Sequence, residues 1–230
     1  MSQHDTLETA PAITRIRQML EKINHLQLPP GSRRDVERIL VKQIARELDR
    51  LRPQHAGHGQ RTAYVAELMG RALSLPPDRR HDLTLAALLH DIGLLLLPDR
   101  LSEQGTPLES DDYRTLQNHA RLGGALLEPY VFLRQASVIV AHHHERWDGS
   151  GYPYGIRGHF IPLESRILTV ADAFDAIGVP GADSPDVRQQ VACRIIQVAS
   201  GTQFDPLVVS ALVEILKAPT TLTSAELAED

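Results

Sequence analysis

Ala141-His142-His143-His144-Glu145-Arg146-Trp147-Asp148-Gly149-Ser150-Gly151-Tyr152-Pro153 carries three consecutive imidazoles, an acid, and a glycine-rich turn closed by a Tyr-Pro pair. No packing rule asks for that combination. Neutral imidazole is the commonest protein ligand for transition metals, so the stretch predicts a metal centre whose remaining ligands lie elsewhere in the chain.

Working outward, few ionisable residues stand in improbable places. His90 and Asp91 interrupt the apolar helix end Ala86-Ala87-Leu88-Leu89-His90-Asp91-Ile92-Gly93. Burying an adjacent imidazole and carboxylate is costly unless both are satisfied, and a metal satisfies both. Asp172 sits within Val170-Ala171-Asp172-Ala173-Phe174-Asp175, a mainly apolar helical segment, with Asp175 one turn away and placed to orient a ligand. His58 opens a helix, and His119 follows the Asn118 expected to end a short one. Taken singly, each of these two reads as a cap or surface histidine rather than a ligand.

The chain of 230 residues has 29 acids against 24 Lys and Arg, a formal charge of −5, and so lacks the basic footprint of a duplex-binding domain. Polymeric nucleic acid is not an expected partner. One cysteine, Cys193, rules out a disulfide framework and fits a reducing, cytoplasmic compartment. The first residues have no apolar run of signal-peptide type, and Leu83 to Leu97 is too short and too polar to span a bilayer. No membrane association is expected.

Apolar residues recur at helical spacing through most of the chain, and alternating β-branched runs are absent, which predicts an all-α fold. Expected helices cover 12–28, 32–52 with Ser32 as N-cap, 58–74, 78–89, 111–118, 120–127, 132–142, 163–177, 187–199 and 206–216. Residues 1–52 form a helical cap or association segment, through which a homodimer could form; 53–218 form the metal-binding domain; 219–230 form a tail.

A helix-opening His58, then His90-Asp91, an isolated His119, His143-His144-Glu145 and a late Asp172 together resemble the HD superfamily of metal-dependent phosphohydrolases. The run Asp148-Gly149-Ser150-Gly151-Tyr152-Pro153 is similar to the HD-GYP class, as are Ile161-Pro162-Leu163, Arg166-Ile167, Gly201 and Phe204-Asp205-Pro206. The resemblance covers residues 55 to 212. It implies a helical bundle around two divalent metal ions, commonly iron or manganese. One ion is held by His58, His90, Asp91 and Asp172; the other by His119, His143 and His144, with Asp91 bridging. His142 is then the extra histidine, and Glu145 a residue that orients a ligand. Asp91 and His119 are the implied catalytic residues. Two such ions can activate a water and neutralise a phosphoryl group under in-line attack. The implied substrate is a cyclic dinucleotide, cyclic di-GMP or cyclic GMP-AMP.

The departures from the class pattern form a set. Its His-Asp-x-Gly-Lys ends here in Leu94, its next lysine is replaced in Leu101-Ser102-Glu103-Gln104-Gly105, and its basic segment after Asp172 reads Ile177-Gly178-Val179-Pro180-Gly181-Ala182-Asp183. No lysine lies between Lys42 and Lys217, so Arg100, Arg121, Arg146 and Arg157 are the candidate replacements. Gln54 stands where three-metal relatives carry glutamate, which implies two metals. All seven ligands are present while phosphate-binding cations are missing. Three readings follow: a phosphodiesterase of weak or altered activity; a regulatory module that keeps metal and uses the loop of Asp148, Gly149, Gly151, Tyr152 and Pro153 to bind a protein such as a diguanylate cyclase; or a phosphohydrolase of another specificity. The loop's Trp147, Tyr152, Tyr154 and Phe160 suit either a contact surface or a lid packed over the metals.

Overall fold

The computed structural model describes residues 6–98, 101, 109–177 and 185–217. Arg100, the segment 102–105, the 178–183 segment, the tail 219–230 and the side chain of Gln54 lie outside the described residues, so the departures expected at those positions have no structural description. Among the described residues the chain is all-α. Nine α-helices run α1 (Thr6–Asn24), α2 (Pro30–Leu51), α3 (His58–Ala72), α4 (Pro77–Leu89), α5 (Ser110–Leu127), α6 (Arg134–Ala141), α7 (Leu163–Ala176), α8 (Pro185–Val198) and α9 (Pro206–Lys217). A 3₁₀ helix, His90–Leu96, continues directly from α4. None of the described helices is long and apolar enough to cross a membrane.

Proline sets several boundaries. Pro30 and Pro77 each occupy the first turn of their helix after another proline, where the missing N–H costs nothing and φ is already helical. The helix expected from a Ser32 cap therefore starts two residues earlier.

α3 and α4 pack together at the centre, with α7 against α3, α6 against α4, and α9 closing on α3 and α7. The N-terminal pair joins the same core. Ile16, Leu20 and Ile23 of α1 and Val41, Ile44 and Ala45 of α2 are buried in one cluster with Leu85, Leu89, Ile167 and Leu212. The Val131 N–H donates to Asn24 Oδ1 at 2.8 Å, tying the end of α1 to the start of the α6 region.

One sequence expectation is corrected. The two short helices on either side of His119 are a single helix, α5, with Gly123-Gly124 in its interior. Those glycines serve close packing. A Cβ on Gly124 would stand 2.8 Å from Ala141 Cβ and 2.9 Å from the Ser137 carbonyl oxygen, and one on Gly123 3.1 Å from Val140 Cγ1. Helix propensity alone disfavours Gly in a helix interior, and the tight helix–helix approach overrides it.

Candidate metal centre

Four of the five candidate histidines are fixed by what their Nδ1 atoms do. His90 Nδ1 donates to the Ala87 carbonyl at 2.8 Å, His119 Nδ1 to Leu116 at 2.8 Å and His143 Nδ1 to Val140 at 2.6 Å, each three residues back along its own segment. His58 Nδ1 instead meets Asp175 Oδ2 at 2.7 Å. With Nδ1 so engaged, the lone pair of each ring is left on Nε2.

The Nε2 atoms converge in two groups. His58 Nε2 lies 3.2 Å from His90 Nε2 and 3.1 Å from Asp172 Oδ1. His119 Nε2 lies 3.4 Å from His143 Nε2 and 3.1 Å from His144 Nε2. Each trio offers ligand atoms close enough to hold one ion. Asp91 stands between them, with Oδ2 3.7 Å from His90 Nε2 and Oδ1 3.7 Å from His119 Nε2. One carboxylate oxygen thus faces each group.

Imidazole lone pairs aimed at one another at such distances repel unless a cation or proton sits among them. Buried nitrogens and carboxylate oxygens in this number suit Fe, Mn, Zn or Co better than Mg, and the residues therefore fit a pair of divalent ions. His58, His90 and Asp172 would hold one, His119, His143 and His144 the other, and Asp91 would serve both.

The electrostatics of the two groups differ. Burial opposes charge on His58, but its hydrogen bonds to Asp172 and Asp175 prevail and hold the imidazole up to about 10. Without metal, this ring carries the proton that stands in for the ion. The second group has no such carboxylate pair. Burial, with the imidazoles of neighbouring histidines, pushes His144 down to about 3 and His143 well below its usual range, and burial lowers His119. Burial also opposes charge on Asp91, yet the surrounding imidazoles hold its carboxyl well below the usual range.

These directions set a pH dependence for the metal-free protein. Unfolded imidazoles titrate near 6.5, so below that pH the unfolded chain takes up protons that buried His119, His143 and His144 exclude, and stability falls as pH falls. His58 does not offset this. Its contribution is already full below 6.5 and is lost only as pH rises through about 10. The urea midpoint of the metal-free protein is expected to drop between about pH 7 and about pH 5; a flat profile across that interval would contradict the burial of neutral imidazoles.

Asp175 does more than its spacing suggested. Besides His58, it receives Arg61 through Nε at 2.7 Å and Nη2 at 3.0 Å, a two-pronged pair. Arg61 in turn donates Nη1 to the Ala56 carbonyl at 3.1 Å. Arg61 was missed in the sequence because a single arginine on a helical face looks solvated; its spacing of three from His58 was the only signal. Asp175→Asn is expected to weaken metal binding at the His58 group by about 10- to 100-fold, read by competitive titration with a chromogenic chelator, with the other group unaffected.

The glycine-rich loop closes over the second group. The Tyr152 N–H donates to the His144 carbonyl at 3.2 Å, and its ring lies 4.9 Å from that of His144. Gly151 is obligatory there, since a Cβ would fall 2.3 Å from Arg146 N and 2.6 Å from the His144 oxygen. Gly149 adopts φ +85°, a region open to glycine, in a turn where Asp148 Oδ1 accepts from Ser150 N at 2.9 Å. The Tyr152–Pro153 peptide is cis. Glu145 is buried, and its Oε1 accepts the Tyr154 N–H at 2.7 Å, so it secures the loop rather than an imidazole. His142 belongs to neither group; its Nδ1 donates to Val138 O at 2.8 Å and its ring packs on Tyr154.

Among the described residues, the candidate replacement cations Arg121, Arg146 and Arg157 make their contacts away from the two ligand groups. Arg121 is exposed on α5, about 200° around the helix from His119. Arg146 donates to Ser150 Oγ at 2.8 Å within the loop, and Arg157 packs its stem beside Gly149. Arg52 and His55 are among the residues that line a small recess together with His58, His90 and Asp91. Arg166 ties the surrounding motifs together, donating to Asp205 at 2.5 Å and to the Ile161 carbonyl at 2.9 Å.

A helical bundle with a His-Asp doublet at a helix end, set between two histidine groups, defines an HD-type metal-binding domain. Residues 38–208 match the HD domain family model, and the chain belongs to that family. Within it the chain falls in the HD-GYP class. It is 33% identical over 179 residues to the cyclic di-GMP phosphodiesterase response regulator RpfG of Xanthomonas campestris, covering 77% of this chain and 47% of that protein. It is 28% identical over 183 residues to 3'3'-cGAMP-specific phosphodiesterase 2 of Vibrio cholerae, covering 79% and 35%. The chain thus spans less than half the length of these two relatives. Among solved structures, a cyclic GMP-AMP specific phosphodiesterase of V. cholerae shares the fold with a TM-score of 0.65 at 22% identity, covering 79% of this chain and 49% of that one. The HD-GYP-type protein Bd1817 of Bdellovibrio bacteriovorus does so with 0.58 at 17%, covering 95% and 74%.

Proposed function

We propose that this chain is the hydrolytic module of a metal-dependent phosphodiesterase that acts on a cyclic dinucleotide, cyclic di-GMP or cyclic GMP-AMP, at a reduced rate. The observation that carries the reading is Asp91, whose two oxygens face two separate ligand groups. When bound, two divalent ions, iron or manganese, supply Lewis acidity and an activated nucleophile for phosphoryl transfer. The chain's own residues fix the site: Asp175 and the three backbone carbonyls set the imidazole tautomers, Asp91 joins the groups, and Tyr152 covers one of them. The names of the relatives support the substrate class.

The reduced rate rests on position 94. Asp91 lies in the 3₁₀ helix His90–Leu96, in which side chains at i and i+3 eclipse, so Leu94 shares a face with Asp91. Leucine there is buried and donates nothing to phosphate. A charge-assisted phosphate contact contributes about 1.5 to 3 kcal/mol, and a lysine stem can lie along apolar surface while its head reaches the ligand. Leu94→Lys is therefore expected to raise kcat/KM on cyclic di-GMP about 10-fold or more in Mn- or Fe-loaded protein. Absence of turnover in both wild type and Leu94→Lys, with two metals bound, would sink the hydrolytic reading.

A regulatory reading has one observation of its own. Phe160 is 83% exposed and Tyr154 52% exposed beside the loop, which gives that face an apolar character suited to a protein partner such as a diguanylate cyclase. Capture of a purified diguanylate cyclase domain by wild type and not by Phe160→Ser would favour it.

A further inference from the structure

The turn between α2 and α3 is short and fixed at both ends. Arg52 precedes a proline, which disfavours the helical region, and it leaves α2 at φ −139°. Pro53–His55 then makes one 3₁₀ turn, and Gly57, at φ +75°, leads into α3, whose first residue is His58. The Arg61 guanidinium closes the turn, donating Nη1 to the Ala56 carbonyl at 3.1 Å while Nε and Nη2 hold Asp175. One side chain thus fixes both the carboxylate behind His58 and the backbone next to His55.

This turn sets His55 beside the first ligand group. Its ring stands edge-on to that of His58, with centroids 6.1 Å apart. It lines the recess of about 30 Å³ that His58, His90 and Asp91 also line. Leu88 and Leu95, both buried, supply the apolar part of that recess, whereas His55 is exposed and forms its solvent side. Among the described residues no side-chain hydrogen bond engages the His55 ring. Arg52 lines the same wall and has contacts of its own.

Size and charge limit what the recess takes. One water needs about 10 to 15 Å³, so about 30 Å³ has room for one or two oxygen atoms and none for a base or a sugar. Asp49 and Asp91 also line it, so the recess by itself does not attract an anion. A phosphoryl oxygen is drawn there only when the ligand groups hold divalent ions. Burial lowers the His55 imidazole below its usual value, with Asp91 acting the other way. At neutral pH the ring therefore carries one N–H and no charge, which suits an oxygen whose charge is already neutralised.

We propose that the His55 imidazole donates a hydrogen bond to a phosphoryl oxygen of the substrate at the group formed by His58, His90 and Asp172, replacing part of the contact missing at Leu94. This contact rests on reading the two ligand groups as a phosphoryl-transfer site. The test is calorimetric titration of Mn-loaded protein with inorganic phosphate, which needs no turnover, alongside kcat and KM on cyclic di-GMP. His55→Leu should weaken phosphate binding about 10-fold or more and lower kcat/KM in proportion. Two ions should remain bound by elemental analysis, since the exposed side chain removed lies outside both groups.

At least one of His55→Asn and His55→Gln, which return an amide N–H near the place of Nδ1 or Nε2, should bind phosphate within about 3-fold of wild type. Phosphate binding that depends on His55 without any turnover of cyclic di-GMP would sink the hydrolytic reading and leave the contact standing. Equal phosphate affinity in wild type and His55→Leu would overturn the contact, whatever the turnover. So would loss of an ion in His55→Leu, which would make His55 a metal ligand. Phosphate binding to metal-free protein as tight as to loaded protein, or no binding to loaded wild type below about 10 mM, would overturn it as well.

Discussion

Asp91→Asn is expected to leave the protein folded but able to hold one divalent ion per chain instead of two, and to remove measurable phosphodiester hydrolysis. The carboxamide is nearly isosteric with the carboxylate, and the Asp91 side chain is 31% exposed, so packing around it does not change. What changes is charge and donor character. The carboxylate presents one oxygen to His90 Nε2 and the other to His119 Nε2, at 3.7 Å in both cases. Asparagine must turn an N–H₂ toward one of the two groups, and an amide nitrogen, whose lone pair is delocalised into the carbonyl, cannot ligate a cation there. Losing an outer partner of a ligand costs about 10- to 100-fold in affinity or activity, and losing the ligand that joins both groups exceeds that range. Metal content by elemental analysis, with turnover of cyclic di-GMP at saturating Mn²⁺, checks both halves. Two tightly bound ions in Asp91→Asn would show that the two groups do not depend on Asp91.

Much of this site was legible because burial of charge is improbable without a reason. His90-Asp91 in an apolar helix end and Asp172 on an apolar face stand out from composition alone. His58 and His119 did not, since each is an ordinary residue until folding carries it to the others; only the ordered motif set picked them out. The tautomer arrangement was invisible, because the acceptors at Ala87, Leu116 and Val140 are backbone carbonyls and no residue type encodes them. Arg61 was hidden for a related reason. Its partner Asp175 lies 114 positions away, and the pair exists only through α3 packing on α7.

The helix count failed at α5, where a break was expected at His119 between helices 111–118 and 120–127 and a single helix, Ser110–Leu127, is found. Gly123-Gly124 reads as a turn when only propensity is considered, yet both are interior to a helix that must come within touching distance of α6 and the His90–Leu96 segment. The same closeness explains how His119 reaches Asp91 at all. Phosphate contacts tell the converse story. The sequence shows where phosphate-binding lysines are missing, but not that the α2–α3 turn carries His55 to the recess beside His58.

Gly93→Ala is expected to be the most damaging single methyl in the described structure. A Cβ there would lie 2.0 Å from the His119 carbonyl oxygen, 2.6 Å from Gly123 N and 2.9 Å from the His119 carbonyl carbon. All three are backbone atoms, so no rotamer change relieves the overlap and α5 must move away. Overpacking typically costs about 1 to 3 kcal/mol, and a backbone clash this deep belongs at or beyond the top of that range, against a total stability of about 5 to 15 kcal/mol. The displacement also carries His119 away from Asp91. The variant should therefore show a lowered urea midpoint together with loss of the second metal, while the His58 group keeps its own ion. Gly31→Ala, with nothing within 4 Å of the added methyl, is the control for a harmless alanine. Gly123→Ala, whose nearest neighbour at 3.1 Å is the side-chain atom Val140 Cγ1, should fall between the two. A Gly93→Ala protein with the wild-type midpoint and two metals would mean that α5 does not sit against the His90–Leu96 segment as described, and the bridging role of Asp91 would fall with it.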